Sequence, residues 1–317
     1  NTEELQKALE RYKDIKILSK VKEANIVHFT AFRPFFISLP FTKPKNTKFV
    51  LTIHDLIPLI YLNHYPAGIK GTFSFFINKL LIKLYVDEII TISETSKKDI
   101  CRFLGVKPEI VNVIYIAPKK AIQKLKTGKW IDEIKKKYSL PDKFILYDHG
   151  LNYNKNLKTL IEASNIIKFP VVAIDEDTKN INKLDLNHPE LSHLKGVDFS
   201  DVYKLGYVSD EDLNKLFNLA TVCIQPSFYE GFGMPPLEAM TVGCPVICSK
   251  TQALVEVCED ACLYFNPYNV DDLVEKIKII ISDNKIRNEY IKKGFEQVKK
   301  YSWDKNAKET LDVYEKA

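Results

Sequence analysis

Arginine is scarce in this chain of 317 residues. Four of its 46 basic side chains are arginine (Arg11, Arg33, Arg102 and Arg287), and the other 42 are lysine. Proteins that read bases or clamp nucleic-acid phosphates rely on the planar fork of arginine. The formal charge of +5 therefore reads as a solvated lysine surface, with runs such as Lys135, Lys136 and Lys137 on a wet helix face, and nucleic acid is excluded as a partner. Glycine is also sparse, at 11 residues, which excludes low-complexity linkers. No apolar run reaches the length of about 18 residues that a membrane-crossing helix needs, and no signal peptide is visible. The chain starts at Asn1 rather than Met, so a cut or processed N-terminus is expected. None of the six cysteines stands in a C-x-x-C pair, and no histidine lies among residues 223–262, where five of them fall. Cys223 and Cys248 sit in apolar strand-like runs and read as small buried hydrophobes. The expectation is reduced thiols, no metal site and a cytoplasmic protein.

What is present is a globular balance, 45 % apolar and 27 % charged, at a length that suggests two domains. Short β-like runs alternate with helical runs. In the first part, strands are expected at 25–29, 48–54, 88–93 and 111–116, with helices at 69–85 and 94–103. A lysine-rich break punctuated by Pro118, Gly128 and Pro141 follows. Strands then resume at 143–149, 171–175, 202–207, 221–226 and 245–249, with helices at 156–167, 210–218, 235–242, 270–282 and 284–300 and a last one at about 303–316. This alternation is the signature of parallel sheets, so the fold class is α/β, two doubly wound domains joined by one linker.

Open α/β sheets bind ligands at the carboxyl ends of their strands. The densest signal lies at such an end, in Gln225-Pro226-Ser227-Phe228-Tyr229-Glu230-Gly231-Phe232-Gly233-Met234-Pro235-Pro236-Leu237-Glu238-Ala239-Met240. A strand runs into a loop with two glycines and then a helix opened by prolines, which cost no helical hydrogen bond there. Backbone NH groups of Gly231, Phe232, Gly233 and Met234 near the helix start suit an anion or sugar oxygens. Side chains on a helix tilt toward its N-terminus, so Glu238 leans back over the loop that Glu230 borders. Two carboxylates beside NH donors suit a polyhydroxy ligand; a capping role for Glu230 and a dipole contact for Glu238 are the structural alternatives. Neither a dinucleotide fingerprint nor a P-loop is present. Two further residues stand at strand ends. Lys155 can neutralise a departing phosphate, or be one more surface lysine. His54 can titrate near neutrality, or be a hydrogen-bonded turn residue. His28 is a weaker candidate, and His64, His149, His188 and His193 read as structural or surface.

These stretches, together with Leu205-Gly206-Tyr207-Val208-Ser209-Asp210, Thr52–Leu59 (TIHDLIPL), 89–106, Gly150–Ala163 (GLNYNKNLKTLIEA), TVGCPVICS and the closing YSWDKNAKETLDVYEKA, resemble the retaining glycosyltransferases of family 4, whose mark is a Glu, seven residues and a Glu, here Glu230 and Glu238. The resemblance covers most of the chain. It implies a GT-B fold, two Rossmann-like domains facing a cleft: an acceptor-side domain at 1–117 with the final helix 302–317 packing back on it, and a nucleotide-sugar domain at 118–301. It implies transfer of a hexose with retained configuration and without a metal or other cofactor, the nucleotide sugar being a co-substrate that leaves as GDP or UDP. Glu230, His54 and Lys155 would be catalytic. Gly231, Phe232, Gly233, Met234, Glu238, Asn156, Gly150, Tyr207 and Val208 would bind substrate. The wording of GMPPLEAM and TIHDLIPL is most like mannosyltransferases, so GDP-mannose is the expected donor, and a glycan or lipid-linked sugar of polysaccharide biosynthesis the acceptor.

Departures from the family pattern are visible. Asn154 stands where a basic residue is usual, Asp175-Glu176-Asp177 where glycine is common, and no strand with a Gly-rich loop precedes Asn25, so the first βα unit is expected to be missing or compact. The stretch 69–85 reads as a core-facing helix, with a peripheral seat on an anionic membrane as the alternative. Two rival functions stay open: a GT-B sugar-nucleotide epimerase, and a degenerate module that binds a nucleotide sugar without catalysis.

Overall fold

The structure, a computed structural model, describes residues 2–12 and 24–317. In the first part of the chain, α1 (Thr2–Leu9) precedes four strands: β1 (Ile26–Phe29), β2 (Lys48–Thr52), β3 (Glu88–Thr91) and β4 (Val111–Val113). They form one parallel sheet in the order β1-β2-β3-β4, with Val50 opposite Glu88 and Ile89 opposite Val111. Three helices connect them, α2 (Ile57–Ile60), α3 (Gly68–Tyr85) and α4 (Glu94–Leu104). Ser93 starts α4 by accepting the amide of Ser96 at 2.9 Å, which satisfies one of the orphan donors of a helix N-terminus. On one face of the sheet, Leu51, Ile53 and Ile89 bury against Leu81 and Ile82 of α3 and Ile100 and Leu104 of α4.

Helix α3 faces the core, as expected, but with one side only. It buries Gly71, Asn78, Leu81 and Ile82, but Ile69 (91 % exposed), Phe73, Phe76, Leu80 and Leu84 face outward. The stretch is apolar on two faces, and one sheet can cover only one of them. Asn78 is buried because its amide donates to the carbonyls of Pro34 and Phe36 and accepts the amide of Ser38, holding the loop beneath it.

The second part builds a six-stranded parallel sheet. Its elements are α5 (Trp130–Tyr138), β5 (Ile145–Tyr147), α6 (Leu157–Ile167), β6 (Val171–Ala173), α7 (Glu176–Lys179), β7 (Val202–Lys204), α8 (Asp210–Leu219), β8 (Val222–Gln225), α9 (Met234–Thr241), β9 (Val246–Ser249), α10 (Gln252–Cys258), β10 (Leu263–Phe265), α11 (Val270–Ser282) and α12 (Asn284–Val298). The strand order is β10-β9-β8-β5-β6-β7. The chain walks outward from β5 to β7, then returns to the other side of β5 and walks outward again. The reversal places a topological switch point between β5 and β8. Tyr147 and Ile145 bury there with Ile224, Leu157 and Phe265. Strands covered on both faces are apolar throughout, as parallel sheets require.

The lysine-rich break between the two parts contains α5, which carries Lys135, Lys136 and Lys137 in its last turn, as a wet helix face requires. Ile134 is its buried residue, Lys137 pairs with Asp212 at 2.6 Å and Lys135 with Asp142 at 2.9 Å. Three lysines in its last turn also face the negative end of the helix dipole. Asp175-Glu176-Asp177 is not an open acidic loop: Asp175 caps α7 by accepting the amide of Thr178 at 2.9 Å.

The last helix, α13 (Trp303–Lys316), belongs to the first sheet. Val313 and Tyr314 lie on the face formed by Val50, Ile90 and Ile114. The Tyr314 hydroxyl meets His28 Nδ1 at 2.6 Å, Asn306 donates to the carbonyl of Tyr115 at 2.9 Å, and Lys316 pairs with Glu88 at 2.9 Å. Two compact units result, Asn1–Ala117 with Tyr301–Ala317, and Pro118–Lys300.

Candidate active site

The switch point of the second unit gathers the polar chemistry. From the end of β8, Gln225 and Ser227 turn inward, and Glu230 follows. From the end of β5 come Asp148 and His149, and from the 3-10 turn Tyr153–Lys155 comes Lys155. The Lys155 ammonium meets both Glu230 oxygens, at 2.9 and 3.0 Å, while Gln225 Nε2 and the Ser227 hydroxyl each donate to Glu230 Oε1 at 2.6 Å. Burial of Glu230 pushes its carboxyl up, but the charge of Lys155 and the donated hydrogen bonds outweigh this and hold it below the usual range. His149 is pushed down to about 3, first by burial and then by Lys155. At neutral pH the centre is therefore a carboxylate, an ammonium and a neutral imidazole.

Glu238 sits on the first turns of α9 in a different environment. It is 2 % exposed, and its Oε1 is buried with no hydrogen-bond partner among the described residues. Burial and the neighbouring Asp148 push it up to about 7, although Lys119 opposes them. Asp148 is pushed up to about 6, mainly by burial. Lys119 is itself tied to Asp210 at 2.8 Å. An acid kept near neutral pH with an orphaned oxygen is poised to accept from a ligand hydroxyl.

The loop from the end of β8 into Glu230 is fastened by small polar residues. Asn154 donates to the carbonyl of Tyr229 at 3.0 Å, and its own carbonyl accepts the amide of Phe228 at 2.7 Å. Ser249 at the end of β9 donates to the carbonyls of Gln225 and Ser227. Asn156 donates to the carbonyls of Pro226 (2.9 Å) and Pro267 (3.0 Å) and accepts from Thr159 at 2.8 Å. Its amide is thus spent on holding the loop. Gly231, Phe232 and Gly233 are buried and Met234 half-buried. Gly233 has φ +145°, and a Cβ there would stand 2.9 Å from Leu254 of α10, so glycine is required both by the backbone and by space.

The other sequence-expected residues lie as follows. Gly150 accepts the Tyr147 hydroxyl at 2.9 Å. Tyr207 is 82 % exposed and its amide donates to Glu176 at 3.2 Å, while Val208 is buried. Gly206 beside them has φ +76°, a backbone that favours glycine. His54 belongs to the first unit, where it lines a cavity of about 40 Å³ with His28, Thr30 and Thr52. Burial, chiefly, pushes it down. His28 is pushed down to about 4 by burial and by His54, and both its ring nitrogens are engaged, by Tyr314 and by Thr52 at 2.7 Å. His28 is an anchor for α13.

His149, set by the sequence reading among structural or surface histidines, lies buried beside the Glu230 centre. Asp148, Gln225 and Ser227 were not anticipated. Their signal was available only through topology, as residues at the ends of the two strands that flank the reversal.

Two parallel α/β units, one carrying an acid-and-ammonium centre at its switch point, define a glycosyltransferase fold of the GT-B class. The sequence of the second unit matches the family model "Glycosyl transferases group 1" over residues 130–297, and that of the first matches "Glycosyltransferase Family 4" over residues 3–117. The chain belongs to this glycosyltransferase family. It is 30 % identical over 270 residues to the serotype-specific mannosyltransferase WbdA of Escherichia coli, covering 82 % of this chain and 32 % of that protein. It is 43 % identical over 110 residues to O-antigen chain mannosyltransferase B of Escherichia coli, over 35 % of this chain and 29 % of that one. The chain thus spans about a third of the length of these curated relatives. Among solved structures, Anabaena HepE in complex with UDP and glucose superposes with a TM-score of 0.69 at 16 % identity, over 86 % of this chain and 72 % of that one. Sucrose-phosphate synthase from Thermosynechococcus elongatus superposes with 0.67 at 21 %, over 86 % and 68 %.

Proposed function

We propose that the chain transfers a hexose from a nucleotide sugar to a glycan or lipid-linked acceptor with retention of configuration, and that the donor is GDP-mannose. The observation that carries the reading is the pairing, at one switch point, of a fixed carboxylate–ammonium centre (Glu230–Lys155) with a buried, unpartnered acid (Glu238). In this reading Glu238 accepts from ribose hydroxyls, Glu230 meets the sugar hydroxyls, and Lys155 shifts toward the diphosphate. The bond from the anomeric carbon to phosphate oxygen loosens, Lys155 stabilises the developing charge, and the acceptor hydroxyl bonds to the same face. Its proton passes to the departing phosphate oxygen, and no metal is assigned to the step. The mannosyl choice rests on the names of the relatives. His54 is proposed to assist from the first unit, and the backbones of Gly150, Gly231, Phe232, Gly233, Met234, Tyr207 and Val208 to line the donor site.

The test is thermal unfolding with GDP-mannose, UDP-glucose and ADP-glucose, since a ligand that binds only the native state raises its melting temperature, followed by NMR of the anomeric proton in the product. A shift with GDP-mannose and an α product from the α donor are expected. No shift with any of the three overturns the reading.

No helix among the described residues is long and apolar enough to cross a membrane. A peripheral seat on an anionic membrane is nevertheless part of the proposal. It is supported by the outward row Ile69, Phe73, Phe76, Leu80 and Leu84 on α3, with Lys70 and Lys83 on the same helix. Phe73→Ser with Phe76→Ser is expected to abolish co-sedimentation with vesicles containing phosphatidylglycerol; unchanged sedimentation refutes the seat.

A further inference from the structure

Three of the five cysteines among residues 223–262 converge in the interior of the second unit. Cys248 comes from β9, Cys258 ends α10, and Cys262 immediately precedes β10. All three are buried and reduced, and their sulfurs lie within 4.8 Å of one another, with 4.0 Å between Cys248 and Cys258. Three sulfurs bound at about 2.3 Å to one centre stand about 4.0 Å apart in a trigonal plane and about 3.8 Å apart in a tetrahedron. The observed spacing needs a closure of under about 1 Å to reach either. A disulfide would need two of these sulfurs at about 2.05 Å, about 2 Å closer than those of Cys248 and Cys258 stand.

We propose that Cys248, Cys258 and Cys262 form a three-thiolate site for one soft, closed-shell metal cation of the zinc and cadmium class. Binding releases the thiol protons, and three thiolates around a divalent ion leave one net negative charge. The exposed turn Glu259–Asp260 follows Cys258; its acids pair with Lys300 and Lys293, and Glu259 holds φ +46°. The Tyr264 hydroxyl fastens that turn by donating to the carbonyl of Glu259 at 2.6 Å.

The site backs the sugar-nucleotide loop. Leu254 and Val257 of α10 are the side chains nearest to Gly233, and Ser249, next to Cys248, holds the carbonyls of Gln225 and Ser227. A cation joining β9 to α10 therefore stiffens the support of that loop without touching substrate.

The test uses the whole chain, purified with a reductant, and titrates cadmium(II). Expected are one ion per chain, a sulfur-to-cadmium charge-transfer band in the ultraviolet, displacement of bound zinc(II) by cadmium(II), and a rise in melting temperature. X-ray absorption of the zinc-loaded native chain should show three sulfur neighbours at about 2.3 Å, a readout independent of any variant. Cys258→Ser and Cys262→Ala should each lose the band, whereas Cys101→Ser and Cys244→Ala should keep it. Absence of uptake overturns the proposal, as does a band that survives Cys258→Ser and Cys262→Ala. So does an oxidised chain lighter by two hydrogens that binds no metal, which would make the cluster a disulfide pair with a spare thiol.

Discussion

Replacing Glu238 by Gln should make the protein more stable, and by an amount that depends on pH in a defined way. The Glu238 carboxyl has an ordinary value of 4.5 and is pushed up to about 7 in the fold by burial and by Asp148. Below pH 4.5 it is protonated in both folded and unfolded chains and contributes nothing to the pH dependence. Between 4.5 and 7 the folded chain keeps a proton that the unfolded chain has lost, so stability falls as pH rises. Above 7 the carboxylate is ionised in both, and the penalty is complete. Each pH unit in that window is worth about 1.4 kcal/mol, which gives about 3 kcal/mol of destabilisation at pH 8. A glutamine keeps an acceptor for the backbone of Lys119 and never ionises. Urea unfolding followed by circular dichroism from pH 4 to 8.5 should show the two proteins equal at the acid end and Glu238→Gln ahead by about 3 kcal/mol above pH 7. A gap that does not change with pH, or a variant less stable at pH 8, refutes the reasoning. The same variant should bind the nucleotide sugar more weakly: the strain in the ligand-free fold is what a ligand hydroxyl relieves.

Other outcomes follow from the same centre. Lys155→Met leaves the buried Glu230 carboxylate without its ion-pair partner, and the loss should be about 2–3 kcal/mol at pH 7. Because the Glu230 carboxyl is held below its ordinary 4.5, its contribution exists above that value and vanishes in acid, so the loss should shrink when urea unfolding is repeated at pH 4. Glu230→Ala should reduce sugar transfer by about 10²-fold or more while the circular-dichroism spectrum stays native; full activity would remove Glu230 from the chemistry. Gly233→Ala forces a side chain into a positive-φ position 2.9 Å from Leu254, and should cost about 2 kcal/mol or more in thermal unfolding.

Much of this was legible along the chain. Runs such as 171–175 and 245–249 announced buried parallel strands, and the glycines and prolines between Glu230 and Glu238 marked a strand–loop–helix turn with its acids in place. Local pattern failed where neighbours are distant in sequence. Gln225 and Ser227 belong with His149 and Lys155 only because β8 returns to the side of β5, a pairing that no local periodicity encodes. The Cys248, Cys258 and Cys262 spacings match no local ligand motif, yet a strand, a helix end and the next strand bring them together. The lysine run 135–137 announced the wet face of α5, but its bounds and its single buried residue, Ile134, were not legible in so polar a stretch. The split of α3 between a core face and an outward one was not legible, because apolar content predicts burial only where there is enough sheet to cover it.

The first unit is discontinuous in the chain, since α13 closes a sheet whose strands are all made before Ala117. On a ribosome, about 180 residues of the second unit are synthesised between β4 and that closing helix, some 10–40 s at 5–20 residues per second. Throughout that interval the face bearing Val50, Ile90 and Ile114 lacks the cover that Val313 and Tyr314 supply. The unit whose strands are made before Ala117 is therefore the one that closes only after the second unit has been made, and a nascent chain interrupted before Trp303 carries the second unit attached to an open, apolar sheet.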